Sequence, residues 1–125
     1  MNEPLRPDLA VIMVPTSRLE ASVSFYRDAI GLRLLEEWAD MGRGALFEAS
    51  ANAHIELVEM PSVRDVDEPR TTIGLKIEGV DAVYARVVEH AAVIKAPPRA
   101  RAWGMYGFGV FDPNGVPINI YEPLE

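Results

Sequence analysis

The sequence predicts an α+β chain made of two tandem copies of one strand–helix–strands unit. Three observations carry this. Short apolar runs and a helical period follow each other in the same order twice. Matching residues recur at a nearly constant separation: 61 residues on, Ile12 meets Ile73, Val14 meets Leu75, Leu19 meets Val80, Glu20 meets Asp81 and Ala21 meets Ala82. At 63 residues, positions 55–59 meet positions 118–122. Finally, turn and stop residues fall between the elements rather than inside them.

Taken in order, residues 9–14 form a short apolar run and read as a buried strand that ends at Pro15 and Thr16. Ser17, Arg18, Leu19 and Glu20 have the form of a helix capping box. Leu19, Val23, Tyr26 and Ile30 then recur at helical spacing, and Gly31 is a natural stop. Residues 32–38 and 44–48 read as a hairpin around Asp40, Met41 and Gly42, and residues 54–59 alternate as a further strand. Residues 61–70 hold two prolines and five charged residues and read as a linker loop. The order restarts with a strand over 72–77 and a helix over 80–90 whose stripe is Val80, Val83, Val87 and Ala91. Residues 96–99 read as a proline-rich bend. Residues 106–111 and 116–122 read as strands joined by the turn Asp112, Pro113, Asn114, Gly115.

At 125 residues, 49% hydrophobic and 25% charged, the chain fits one domain over residues 1–125. It has no cysteine, so disulfides, thiolate zinc sites and cysteine nucleophiles are excluded. The net charge is −7 and the basic residues are scattered along the sequence, which argues against nucleic acid as a partner. An acidic balance favours solubility and is compatible with a cationic ligand. No apolar run reaches the roughly 20 residues of a membrane helix, and no membrane partner is expected. The first seven residues lack the pattern of a secretory signal, so a cytoplasmic location is expected.

The first-helix segment, from Ser17 through Phe25 and Tyr26 to Gly31 and Leu32, resembles the signature of the vicinal oxygen chelate superfamily. That superfamily includes glyoxalase I, bleomycin resistance proteins and extradiol dioxygenases. Trp103 and Gly104, followed by Phe111, Asp112, Pro113, Asn114, Gly115 and the strand to Glu122, resemble its closing hairpin. The resemblance covers about residues 8–122. It implies two tandem βαβββ modules, about 8–60 and 71–122, with curved mixed sheets around a concave cavity, in a homodimer. Enzymes of the family bind a divalent metal with four cavity-facing side chains. Those positions fall here on Val11, Glu56, Thr72 and Asn119. Only Glu56 is a usual ligand; Val11 has no donor atom, and Thr72 and Asn119 offer neutral oxygens. No metal and no cofactor are therefore expected.

His54 shares a strand face with Glu56 and reads as a strand-end residue at the solvent rim; His90 reads as a surface residue near a helix C-terminus. Glu56 is the sole candidate catalytic residue. Its charge needs a partner, and Lys76 is one candidate. The expected ligand-binding residues are Trp38, Phe47, Glu56, Thr72, Trp103, Tyr106, Phe108, Asn119 and Tyr121, an aromatic lining with a few polar groups. The leading expectation is a metal-independent binding protein of the bleomycin-resistance type, holding a small organic or drug-like molecule in apolar grooves of a homodimer. The alternatives are a glyoxalase- or dioxygenase-like enzyme using Glu56, with an atypical metal site or metal-free acid–base chemistry, and a dimerisation module without a working cavity.

Overall fold

The computed structural model describes residues 3–124. Met1 and Asn2, part of the N-terminal segment read above for a secretory signal, and Glu125 lie outside the described residues. Strand β1 (Ala10–Thr16) leads into helix α1 (Leu19–Ser24), which continues as one π-helical stretch, Phe25–Ile30. Strands β2 (Arg33–Trp38), β3 (Gly44–Ser50) and β4 (Ala53–Glu59) complete the first module. The second has β5 (Ile73–Lys76), α2 (Val80–Glu89), β6 (Val93–Arg101), β7 (Met105–Phe111) and β8 (Pro117–Pro123). The sheets run β1-β4-β3-β2 and β5-β8-β7-β6. In each, the first and last strands of the module pair in parallel and the rest are antiparallel. This is the expected α+β fold of two βαβββ modules.

The repeat is visible in the register itself. Ile12 pairs with Ile55 and Val14 with Leu57; in the second sheet Ile73 pairs with Ile118 and Leu75 with Ile120. Both sequence offsets are thus reproduced by strand pairing. Apart from Ile12, which is exposed at the edge of the first sheet, these side chains are buried with Tyr26, Phe47, Val80, Val87 and Phe108 in one core cluster that spans both modules. The other face of each sheet carries no helix. It is called the open face below.

Two local expectations are corrected. Ser17 and Glu20 do not form a capping box: no side chain caps α1, the Oγ1 of Thr16 accepts the Arg18 amide at 2.9 Å, and Glu20 pairs instead with Arg43. That pairing, chiefly through the hydrogen bond from Arg43, lowers the Glu20 carboxyl below its usual range. Residues 96–99 are not a bend but part of β6. Pro97 and Pro98 lack amide hydrogens, yet β6 is the outermost strand and carries two irregularities against β7, the position where a sheet tolerates proline. Gly31 does end the first helix, with φ +93°. The α2 stripe is Val80, Val83 and Val87, while Ala91 lies beyond the helix at φ +59°.

Candidate functional site

Strand alternation fixes which residues reach the open faces. On the first sheet one row reads Glu36, Leu46, Glu56, Met13, and a neighbouring row reads Trp38, Gly44, Val58, Pro15. The Trp38 ring occupies the space over Gly44: a Cβ there would come within 2.2 Å of Trp38 Cζ2. His54 stands in the row beside Glu56, next to Val11. Val11 is 49% and Met13 57% exposed, so this face presents apolar surface around its carboxylates. On the second sheet the corresponding rows read Gly74, Asn119, Gly109 and Lys76, Tyr121, Gly107.

The expected ligand residues therefore divide. Trp38 and Glu56 lie together on the first open face, and Asn119 and Tyr121 lie together on the second. Thr72 precedes β5, one residue outside the strand. Phe47 and Phe108 lie on the opposite side, fully buried, against the rings of Tyr26 and Tyr84. Their register puts them under the helices, so they cannot line an open groove. Tyr106 also turns toward α2, where its hydroxyl donates to Asp81 at 2.6 Å. That bond, then desolvation, raises its pKa. Trp103 is 94% exposed in the turn Ala102–Gly104, at φ +62°. Lys76 belongs to the second sheet and makes no ion pair with Glu56; the ion pairs among the described residues are Arg18–Asp65, Arg27–Asp28, Arg43–Glu20 and Arg43–Glu59. His90 sits at the end of α2, its Nε2 3.1 Å from the Ser24 hydroxyl.

The four positions that correspond to metal ligands do not fit a transition metal. Glu56 is flanked in register by Met13, and Asn119 by Gly74. Val11 and Gly74 offer no donor, Thr72 and Asn119 are neutral oxygens, and a thioether suits only soft ions. Among the described residues no three His, Asp or Glu side chains converge on a point. Sequence reasoning passed over Met13, Lys95 and Arg101 on these faces. Alternation outward from Val11 would have found Met13.

The modules are joined by a buried polar cluster. Thr16 donates its hydroxyl proton to Asn114 Oδ1 at 2.6 Å, and Asn114 Nδ2 donates to Ser22 Oγ at 3.1 Å. The Tyr26 hydroxyl donates to Asp112 Oδ2 at 2.7 Å. Asp112 also accepts the amides of Asn114 and Val116 at 2.8 and 2.9 Å, so its buried charge is held by several donors. Burial, and then the Asp112 charge, pushes the Tyr26 hydroxyl well above its usual pKa. Arg86 of α2 adds a second tie, donating to the carbonyl oxygens of Ala29 and Ile30 at 3.3 and 2.8 Å. A cleft of about 560 Å³ opens between the modules, lined among others by Ile12, Leu32, Ile73, Leu75, Lys76 and Arg86. Glu56 and Asn119 do not line it.

A family model described as the Glyoxalase/Bleomycin resistance protein/Dioxygenase superfamily matches residues 8–120. No curated protein matches the sequence significantly. Among solved structures, a glyoxalase/dioxygenase from Nostoc punctiforme is 22% identical with a TM-score of 0.79, covering 100% of this chain and 99% of its own. TnmS3, an antibiotic binding protein from Streptomyces sp. CB03234, is 23% identical with a TM-score of 0.75, covering 97% and 99%. TioX from Micromonospora sp. ML1 is 18% identical with a TM-score of 0.73, covering 93% and 98%. At these identities the likeness is one of fold.

Proposed function

Given that the chain belongs to the glyoxalase/bleomycin resistance protein/dioxygenase superfamily, we propose that it is a small-molecule binding protein that works without a metal. The observation that carries this is the donor set on the open faces. Where an enzyme of this architecture needs imidazoles and carboxylates around one ion, this chain has Val11, Met13 and Gly74 beside a single carboxylate, Glu56, and an amide, Asn119. What remains is a surface suited to holding an organic molecule: Trp38, Tyr121 and exposed apolar side chains, with Glu56, Thr72 and Asn119 to orient it. Trp103, exposed on a left-handed backbone, adds a further aromatic side chain that a ligand could meet. The likeness to TnmS3, itself described as an antibiotic binding protein, supports a drug-like ligand.

The assembly is a homodimer in this reading. Val11 and Met13 leave a contiguous apolar strip on the first sheet that a second copy would cover. The closing of one open face over another would turn two shallow surfaces into enclosed grooves. Native mass spectrometry of protein purified without added metal tests all three parts together. The expected result is a dimer, free of stoichiometric zinc, nickel, iron or manganese, that takes up aromatic small molecules. A stoichiometric metal would overturn the reading in favour of an enzyme using Glu56.

A further inference from the structure

The two open faces differ in charge. The chain carries a net charge of −7. Yet both of its lysines, Lys76 and Lys95, stand on the second open face with Arg99 and Arg101. Among the paired strand residues of that face there is no Asp or Glu, and the one carboxylate beside it, Glu78, follows β5 and lines the cleft with Lys76 without an ion pair to it. Lys76 is in register with Tyr121, Arg99 with Gly107 and Arg101 with Met105. Lys95 lies over Gly109, its Cβ 3.3 Å from where a glycine Cβ would be. None of the four makes an ion pair among the described residues. Arg101 Nε reaches the Gly107 carbonyl at 3.4 Å, but its Nη2 is withdrawn from solvent and has no acceptor. Concentrating unpaired cations on one wall of an acidic protein costs self-repulsion, so something must offset it.

The floor between these cations is glycine, and one glycine is not required by the backbone. At Gly107 a Cβ would strike the Ile120 carbonyl at 2.3 Å, so close strand packing dictates the residue. At Gly74 a Cβ would meet only Tyr121 Cε1, at 3.6 Å, an ordinary contact, and φ is not positive. A glycine inside a strand costs roughly 0.5–1 kcal/mol relative to alanine. The space it leaves lies beside Asn119 and the Tyr121 ring.

We propose that the second open face is the anion-binding half of the ligand site, and that the ligand is an aromatic carboxylate. Its carboxylate settles over Gly74 between Lys76 and Lys95, where the Asn119 amide can donate to it, and its ring lies against Tyr121. The inference rests on the small-molecule reading above and adds the class of ligand. The rival use of the same cations is to meet Glu36 and Glu56 on the first open face of a second copy.

Nitrogen-15-resolved NMR with three isosteric probes separates these. The probes are 2-naphthoate, neutral 2-naphthamide and protonated 2-naphthylmethylamine. Naphthoate is expected to shift the amides of Gly74, Gly107 and Gly109 and the Asn119 side chain. It should bind at least about tenfold more tightly than naphthamide, the gain of a charge-assisted contact, and the advantage should fall with added salt. Replacing Lys76→Gln and Lys95→Gln together should remove that advantage and leave naphthamide binding as it was. Unchanged signals from Val83 and Val87 would show that the variant is folded. Equal or better binding of the amide or amine would overturn the anion inference while leaving the small-molecule reading in place. No shift with any probe would overturn both. If the double variant keeps the carboxylate preference but sediments as a monomer, the cations serve the second copy and the inference fails.

Discussion

Tyr26 of the first helix and Asp112 of the second module share a buried hydrogen bond of 2.7 Å, closing a contact between residues 86 positions apart. The proton belongs to the tyrosine, whose pKa is raised well above 10.0 by burial, then by the neighbouring charge and hydrogen bond. The folded state thus holds this proton more tightly than the unfolded chain does. The linked stability is full below the unfolded value near pH 10 and is lost as pH rises through the folded value. A series of urea titrations from pH 8 upward should show stability falling above pH 10. Tyr26→Phe should flatten this part of the profile and lower stability at neutral pH by about 1.5–3 kcal/mol, as expected for a bond to a charged group.

Asp112→Asn should be costlier than its size suggests. The carboxylate accepts from Tyr26, Asn114 and Val116, and an amide nitrogen in place of one oxygen faces donors with a donor. Thermal and urea unfolding should report a loss of about 2–4 kcal/mol. Both modules should unfold together, because the cluster belongs to both.

Gly74→Ala and Gly107→Ala should separate packing from binding. Gly107→Ala forces a Cβ onto the Ile120 carbonyl and should destabilise the chain clearly. Gly74→Ala meets only an ordinary contact and should leave stability unchanged or raise it by up to about 1 kcal/mol. It should nevertheless weaken binding of 2-naphthoate, since the methyl group occupies the floor. Denaturation and an NMR titration on each variant decide the matter.

Trp103→Gly should stabilise the free protein. The residue is 94% exposed, so little burial is lost, and glycine relieves its left-handed backbone. A gain of about 1 kcal/mol is expected. Loss of the indole should at the same time reduce affinity for aromatic ligands, measured by calorimetry.

Phe108→Leu and Trp38→Ala should behave in opposite ways. Phe108 is fully buried against Tyr84, so its loss should lower stability by about 1–3 kcal/mol without changing ligand affinity in the folded protein. Trp38 is on the open face, and its loss should reduce affinity in the same calorimetric titration.

The fold was legible because it rests on hydrophobic spacing and on a repeat. Ile12 and Ile73, or Ile55 and Ile118, announce their equivalence through sequence distance alone, and the strand register follows the same arithmetic. β6 was hidden because Pro97 and Pro98 signal a break; only its position at the outer edge makes them acceptable there. The capping box failed because Glu20 had a partner, Arg43, that is distant in sequence. The site was half legible. Trp38 and Tyr121 are open while Phe47, Phe108 and Tyr106 face the helices, a distinction set by strand register rather than residue type. The cluster of Thr16, Ser22, Asp112 and Asn114 was invisible, since its hydroxyl and amide groups reveal themselves only when the two modules meet.

The prolines of β6 also govern how copies of this chain can accumulate. Pro97 and Pro98 leave the edge strand β6 short of amide donors, and Glu36 and Glu37 place charge along β2, the corresponding edge of the first sheet. Neither margin can template an incoming strand well. Strand-by-strand growth through β2 and β6 is thereby disfavoured, which leaves β1 and β5, the edges that face the cleft between the modules, as the margins where further pairing is least guarded.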